Sequence, residues 1–299
     1  MVAGELDRLG VPPGPVAVVT AGWQEREPED RELREHVGRA IVNLELWRRG
    51  EEVFAEDREL FEAGRARQDR LRAVQAVYRA RLEAANTVAW DLLRREGDPE
   101  ILQPERDHAI EMLRAIDHHH LSRILETHRT FDDRWHPHHR LAVVRHRIEL
   151  EHLLRETRAL LIAGGHVAVL LNRLRLFGLH DLARELPVVA WSAGAMCLAE
   201  RVVAFHDDPP QGRGAAEIVE LGLSRCRGIL PLPHAAKRLR LHDPVRVEVL
   251  ARRFAPLVPV PLDARDGVLI DGQRWSPLPG TRRLDAGGAA VAFERAGVE

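Results

Sequence analysis

The stretch Pro187–Asp208, PVVAWSAGAMCLAERVVAFHDD, decides the fold. Its apolar, β-branched opening reads as a buried strand and its small residues as a tight turn; the rest reads as a helix, or a helix and then a strand. Ser192 stands at the turn. Two other segments share this grammar. PVAVVTAG (Pro15–Gly22) and ALLIAGG (Ala159–Gly165) are apolar runs closed by glycine, each leading into helical sequence. Strands that alternate with helices argue for an α/β protein built on a three-layer, mostly parallel sheet.

Three zones follow. Residues 1–63 hold the first strand, a polar helix, a second strand expected over Arg39–Leu46 and a further helix. Across residues 64–159 glycine nearly vanishes after Gly64, Gly97 being the exception, and strand signals are absent. There Leu71, Val74, Val77, Leu82, Ala85, Val88 and Leu92 recur at steps mostly near three or four, as on one helix face. This zone reads as a long all-helical insertion, broken near Gly97–Pro104 and around Pro137. Residues 160–299 return to α/β grammar and close with strands and a hairpin.

Composition bounds the function classes. A net charge of −2 across 299 residues gives no global field toward nucleic acid or an anionic membrane. No apolar run approaches the roughly 18–20 residues that span a bilayer. The opening, MVAGELDRLGVPPGP, carries acids and prolines where a signal peptide needs a basic start and an apolar run. Two cysteines, Cys197 and Cys226, make no disulfide framework and suit a reducing compartment. A cytoplasmic protein is expected, with no nucleic-acid or membrane partner and with room for a homo-oligomer.

A serine on a strained strand-to-helix turn with small neighbours is the pattern of a nucleophile elbow, although Ala190 stands where the strict pattern has glycine. The bland alternative is a small polar residue where a helix packs closely on a sheet. Serine attacks only when a base takes its proton and donors hold the oxyanion. The Gly164-Gly165 turn falls at the same carboxyl edge in a parallel sheet, so the Gly165 and Ala193 N–H groups are the oxyanion-hole candidates. Equally, the two glycines could serve only the turn. His234, which closes the apolar run GILPLPH, is the best base candidate; His206 and His242 lie in polar surroundings. Trp23, after the first strand, and Trp191, at the turn, could line a pocket or cap the core. Cys197 lies beyond the turn, inside the expected helix, which argues against glutaminase chemistry.

LLIAGGHVAVLLNRLRLF, AWSAGAMCLAERV and GILPLPHAAKRLRL together resemble the peptidase S51 family, which contains dipeptidase E and cyanophycinase. The likeness covers about Leu160–Asp271 and the first strand, not the helical insertion. It implies a class I glutamine amidotransferase-like fold and a serine peptidase needing no cofactor or metal. Ser192 takes the nucleophile's place and His234 the base's, within Leu-Pro-His-Ala where cyanophycinase-like members have Asp-Gln-His-Phe. Asp207 matches the orienting aspartate of dipeptidase E-like members. Asp208 and Asp263 are alternatives, and Ala264 stands where a cyanophycinase-like glutamate would fall. Arg238 and Arg240 fall where family members carry basic residues, which could hold a substrate carboxylate. The implied substrate is a small peptide or amide. The alternative is a catalytically degenerate relative that binds partners through the helical insertion.

Ten of the 16 histidines fall between His108 and His152. Asp117 with His120 and Glu149 with His152 have a spacing that can share a metal, but polar helix faces are the favoured reading.

Overall fold

The computed structural model describes residues 2–207, 214–272 and 274–294; Asp208 lies outside them. The chain divides into two compact units, Met1–Gln68 with His128–Leu198 and Asp69–Thr127 with Ala199–Glu299. Its helices are α1 (Val2–Arg8), α2 (Arg31–Val37), α3 (Leu46–Glu56), α4 (Arg58–Arg94), α5 (Pro99–Trp135), α6 (Leu141–Arg155), α7 (Val167–Leu176), α8 (Leu179–Leu182), α9 (Ala193–Leu198), α10 (Ala235–Arg238) and α11 (Pro244–Phe254). Among the described residues no helix is long and apolar enough to cross a membrane.

The first unit is built on four parallel strands: β1 (Val16–Val19), β2 (Ile41–Asn43), β3 (Leu160–Ile162) and β4 (Val188–Ala190). Their order is β2-β1-β3-β4, with Val18 opposite Leu161 and Leu161 opposite Val189. The chain steps outward from β1 to β2, then returns to the other side of β1 as β3. Strand order therefore reverses between β1 and β3. In open parallel sheets the crevice at that reversal, outside the carboxyl ends of the strands, is where ligands bind. Val16, Val18 and Leu161 pack with Leu6, Val37 and Ile41 into one core cluster.

The second strand is shorter than the expected Arg39–Leu46: it ends at Asn43, which pairs with Val18 in the ladder and whose side chain enters a polar joint. Its Nδ2, with two hydrogens to give, lies 3.0 Å from Thr20 Oγ1, 3.1 Å from the Glu27 carbonyl and 3.2 Å from Asp30 Oδ2. The Glu27 carboxylate accepts the amides of Trp47 (3.1 Å) and Arg48 (3.0 Å) in the first turn of α3. Burial pushes the Glu27 carboxyl above its ordinary range, and the two amides partly offset this. The loop after β1 is thus tied to β2 and α3.

The second unit contains the antiparallel pair β5 (Arg201–Ala204) and β6 (Glu217–Leu221), and the parallel pair β7 (Ile229–Pro233) and β8 (Val258–Leu262). The antiparallel pairs β9 (Val268–Asp271) with β10 (Arg274–Pro277) and β11 (Arg282–Leu284) with β12 (Ala290–Ala292) complete its strands. Beside the apolar cluster of Ile229, Val260 and Phe293 it holds a buried polar network. Arg253, 3% exposed, forks onto Asp117 with two bonds of 2.7 Å and donates to the Ala216 carbonyl. The Tyr78 hydroxyl donates to Asp117 at 2.8 Å and accepts the Ile218 amide at 3.1 Å. His120 stacks on Tyr78 with ring centroids 3.8 Å apart, its Nε2 within reach of Gln75 Oε1 and the Ile218 carbonyl. Asp117 and His120, one turn apart, are therefore committed to structural partners, and so is Glu149, which pairs with Arg49 in the first unit.

Two sequence expectations shift here. Val77 and Val88 are 65% and 56% exposed, while Tyr78, Leu82, Asn86 and Ala89 face inward. Tyr78 can be buried because its hydroxyl is hydrogen-bonded, so the inward face of α4 is partly polar and displaced by one residue. The helix break before α5 is also narrower than Gly97–Pro104. Asp98 Oδ1 accepts the Glu100 amide at 2.9 Å and Pro99 starts the helix, leaving Pro104 inside it.

Removing one partner of a buried ion pair leaves the other charge uncompensated. Arg253→Met is expected to cost about 3–5 kcal/mol in urea unfolding, and Arg253→Met with Asp117→Leu to regain much of it. Burial holds the His120 and His146 imidazoles below their ordinary range, helped at His146 by Arg49. The unfolded chain binds those protons near pH 6.5 and the native chain resists them, so stability should fall as pH drops below about 6.5. Urea midpoints from pH 7.5 to 5 measure this slope, and His120→Asn with His146→Asn should flatten it.

Candidate functional site

Each of the four parallel strands of the first unit is followed by a residue of positive φ: Gln24 after β1, Glu45 after β2, Gly165 after β3 and Ser192 after β4. Ser192 has φ of 51°, a conformation that L-residues other than glycine adopt at a cost. It sits between β4 and α9, as a nucleophile elbow requires. The turn is closed by the Trp191 amide donating to the Ile162 carbonyl at 3.2 Å and the Gly194 amide donating to the Trp191 carbonyl at 2.9 Å. A Cβ on Gly194 would lie 2.3 Å from the Ile162 carbonyl oxygen, so only glycine lets α9 approach β3.

The neighbouring loops pack backbone on backbone. A Cβ on Gly164 would lie 2.8 Å from Ser192 Cβ and 2.9 Å from its Oγ. A Cβ on Gly22 would lie 2.5 Å from the Gly164 carbonyl oxygen, and one on Gly165 2.4 Å from the Gly22 carbonyl oxygen. The His166 amide donates to that Gly22 carbonyl at 2.7 Å. Gly22, Gly164, Gly165 and Ser192 therefore form one cluster at the carboxyl edge, beside the reversal of strand order. The close approach of Gly22 is the feature that strand-and-turn reading missed; the small pair Ala21-Gly22 after the first strand was its signal.

Ala193 is the first residue of α9, a position whose N–H has no acceptor within its own helix. Gly165 is exposed, and a Cβ on its neighbour Gly164 would lie 3.5 Å from the Ala193 nitrogen. Trp23 and Trp191 are both half-buried against the core cluster of the first unit. Cys197 is buried, its thiol pushed up to about 12 by desolvation, so it is a poor nucleophile.

The remaining candidates lie in the second unit. His234 directly follows β7 with φ of 60° and ψ of 35°, and its amide donates to the Leu262 carbonyl at 2.8 Å. The Asp207 carboxylate is engaged twice: Oδ1 takes Arg246 Nη1 at 2.6 Å and Oδ2 takes the Arg240 amide at 2.7 Å. The Asp207 amide donates to the Arg238 carbonyl at 2.7 Å, so the backbone of 238–240 wraps this aspartate. The Arg238 guanidinium lies over the Phe205 ring, 5.7 Å from its centroid. Asp263 follows β8, and both its carboxylate oxygens lie 3.2 Å from the Ala236 amide, two residues beyond His234. Nothing in the sequence marked Arg246 as the partner of Asp207, since arginine recurs throughout this chain.

No family model and no curated protein matches the chain. Among solved structures it is similar to one described as "a Putative Peptidase E Protein from Listeria monocytogenes EGD-e". The identity is 18%, the likeness covers 46% of this chain and 65% of that one, and the TM-score is 0.30. The matched part is thus just under two thirds of that protein. So distant a likeness bears no weight, and the α/β architecture rests on the strands and their register.

Glycine packing at this edge has a measurable consequence. Gly22→Ala meets a backbone carbonyl that no side-chain rotation can move, and should destabilise by about 1–3 kcal/mol. Gly64→Ala, inside α4 with nothing within 4 Å, should instead stabilise by about 0.5–1 kcal/mol. Urea denaturation of the two variants beside the parent checks both signs.

Proposed function

We propose that the chain is a serine hydrolase of peptidase S51 type, cleaving a small peptide or amide. The reading is carried by one observation: Ser192 is held at positive φ between a parallel strand and a helix, against a glycine that leaves no room for a side chain. In it, Ser192 Oγ attacks the carbonyl carbon and His234 takes the hydroxyl proton. The Gly165 and Ala193 amides hold the developing oxyanion. The imidazolium then returns the proton to the leaving amine, and water releases the acyl group by the same route in reverse. Trp23 and Trp191 line the substrate's approach, and Arg238 and Arg240 hold its carboxylate.

The orienting acid is Asp207 by resemblance. Its oxygens already serve Arg246 and the Arg240 amide, whereas Asp263 lies against the segment that begins at His234. In this reading Asp263 is the rival for the role. A second reading, a binding or assembly module that keeps the fold without the chemistry, is favoured by that same engagement of Asp207.

A fluorophosphonate probe separates the two. The native chain should be labelled, Ser192→Ala should abolish labelling, and His234→Ala should slow it by at least about 10²-fold. Asp207→Asn and Asp263→Asn then assign the acid by which one slows labelling at unchanged thermal midpoint. A native chain that takes no label is the binding module.

A further inference from the structure

Residues 69–94 of α4 and 99–127 of α5 form an antiparallel hairpin within the second unit. Tyr78 reaches Asp117 and His120 reaches Gln75, which sets the register. By the same offset Ala84 is level with Glu111, and Glu83 with Met112. One side of the hairpin is occupied. Gln75 donates to the Ile218 carbonyl of β6 at 3.1 Å, and Arg114 to the Arg252 carbonyl of α11 at 2.9 Å. Two residues along a helix turn the side chain by about 200°. Val77, two beyond Gln75, and Met112, two before Arg114, therefore stand on the opposite side.

That side is apolar and open. Val77 and Val88 on α4, and Ile101 and Met112 on α5, are all exposed. Each pair is eleven residues apart, which is three turns, so each lies along one face. Exposed alanines stand among them: Ala80 and Ala84 between the valines, and Ala115 close after Met112. The charges that make no ion pair among the described residues differ between the two helices. On α4 they are Arg70 and Arg81 against one carboxylate, Glu83; on α5 they are Glu100 and Glu105. Glu111 of α5 has only His108, at 3.8 Å.

We propose that this side of the hairpin pairs with the same side of a second copy of the chain, about a two-fold axis parallel to the helices. Such an axis lays α4 of each copy antiparallel on α5 of the other and keeps the hairpin's own register. Met112 then falls over the gap between Ala80 and Ala84 of the second copy, a large residue against small ones. Arg81 comes within one turn of Glu111. The contact is isologous, so every pairing occurs twice. Charge selects this axis over the perpendicular one, which would set the two α4 helices, with their unpaired arginines, on each other. Area agrees. About 25 residues at 1.5 Å each, across two helices about 10 Å wide, give roughly 750 Å² per copy, near the ~800 Å² per partner of a stable interface. The pairing stands whether or not Ser192 is a nucleophile.

Sedimentation equilibrium of the full chain at micromolar concentration tests it, and the native chain should be a dimer. Ala84→Glu and Met112→Glu should each raise the dissociation constant at least about 30-fold, as substitutions at the centre of an interface do. Both positions are exposed, so helical content by circular dichroism should not change. Arg81→Glu and Glu111→Arg should each weaken the dimer about tenfold, since each affects two contacts. The two together should restore it, a result that misfolding cannot produce. A native chain that stays monomeric, its face left to another partner or to solvent, overturns the proposal. So does a dimer that keeps its affinity in Ala84→Glu and Met112→Glu, or a double charge reversal that binds no better than either single one.

Discussion

The contact on which the first unit depends is backbone against backbone. Gly22, Gly164 and Gly165 approach one another and Ser192 so closely that a single methyl group at any of the three glycines would lie 2.4–2.8 Å from its nearest neighbour. Hydrophobic burial alone does not produce such an approach, since side chains normally hold loops apart. It exists because three β-strands end at one level, and because glycine is placed where each loop would otherwise collide. The strands fix the height and the glycines fix the distance. Together they leave Ser192 in its strained turn at a crevice that the strand order itself creates.

The second unit is organised differently. Around Arg253, Asp117 and Tyr78 its interior is a hydrogen-bonded network rather than an apolar one. Burial works against the charge on Arg253, and Asp117 with Tyr78 more than offsets it, so the guanidinium stays charged inside the protein. Such a network adds little net stability over an apolar core, but every member must be present and correctly placed. It imposes on β6, α4, α5 and α11 a register that a greasy interface would leave looser.

How much of this was legible in the sequence follows from the same physics. Parallel strands carry a local signal, so the runs at Val16–Val19, Leu160–Ile162 and Val188–Ala190 announced themselves. So did the turns closed by Gly22, Gly165 and Ser192. The inward face of α4 did not, because Tyr78 and Asn86 are buried although hydropathy scores them as surface residues, Tyr78 through its bond to the distant Asp117. Asn43 closes β2 early, its side chain held by Thr20, Glu27 and Asp30, which lie 13 to 23 residues away. The clasp of Arg246 on Asp207 joins positions 39 residues apart, and no local pattern encodes it. What sequence reading reaches is the backbone grammar of the edge; what it misses is which polar side chains are already spoken for.

That distinction bears on whether the edge does chemistry. Ser192 and Gln24 both occupy positive-φ conformations on one sheet edge, and such residues cost on the order of 1–3 kcal/mol each. Their sum is an appreciable part of the 5–15 kcal/mol by which a domain is ordinarily stable. Glycine at either position would remove the strain, and neither side chain is deeply enough buried for its loss to open a large cavity. A protein that used this fold only as a platform for its helices would gain stability from that exchange. The strain at Ser192 is understandable if its hydroxyl must be presented at the crevice.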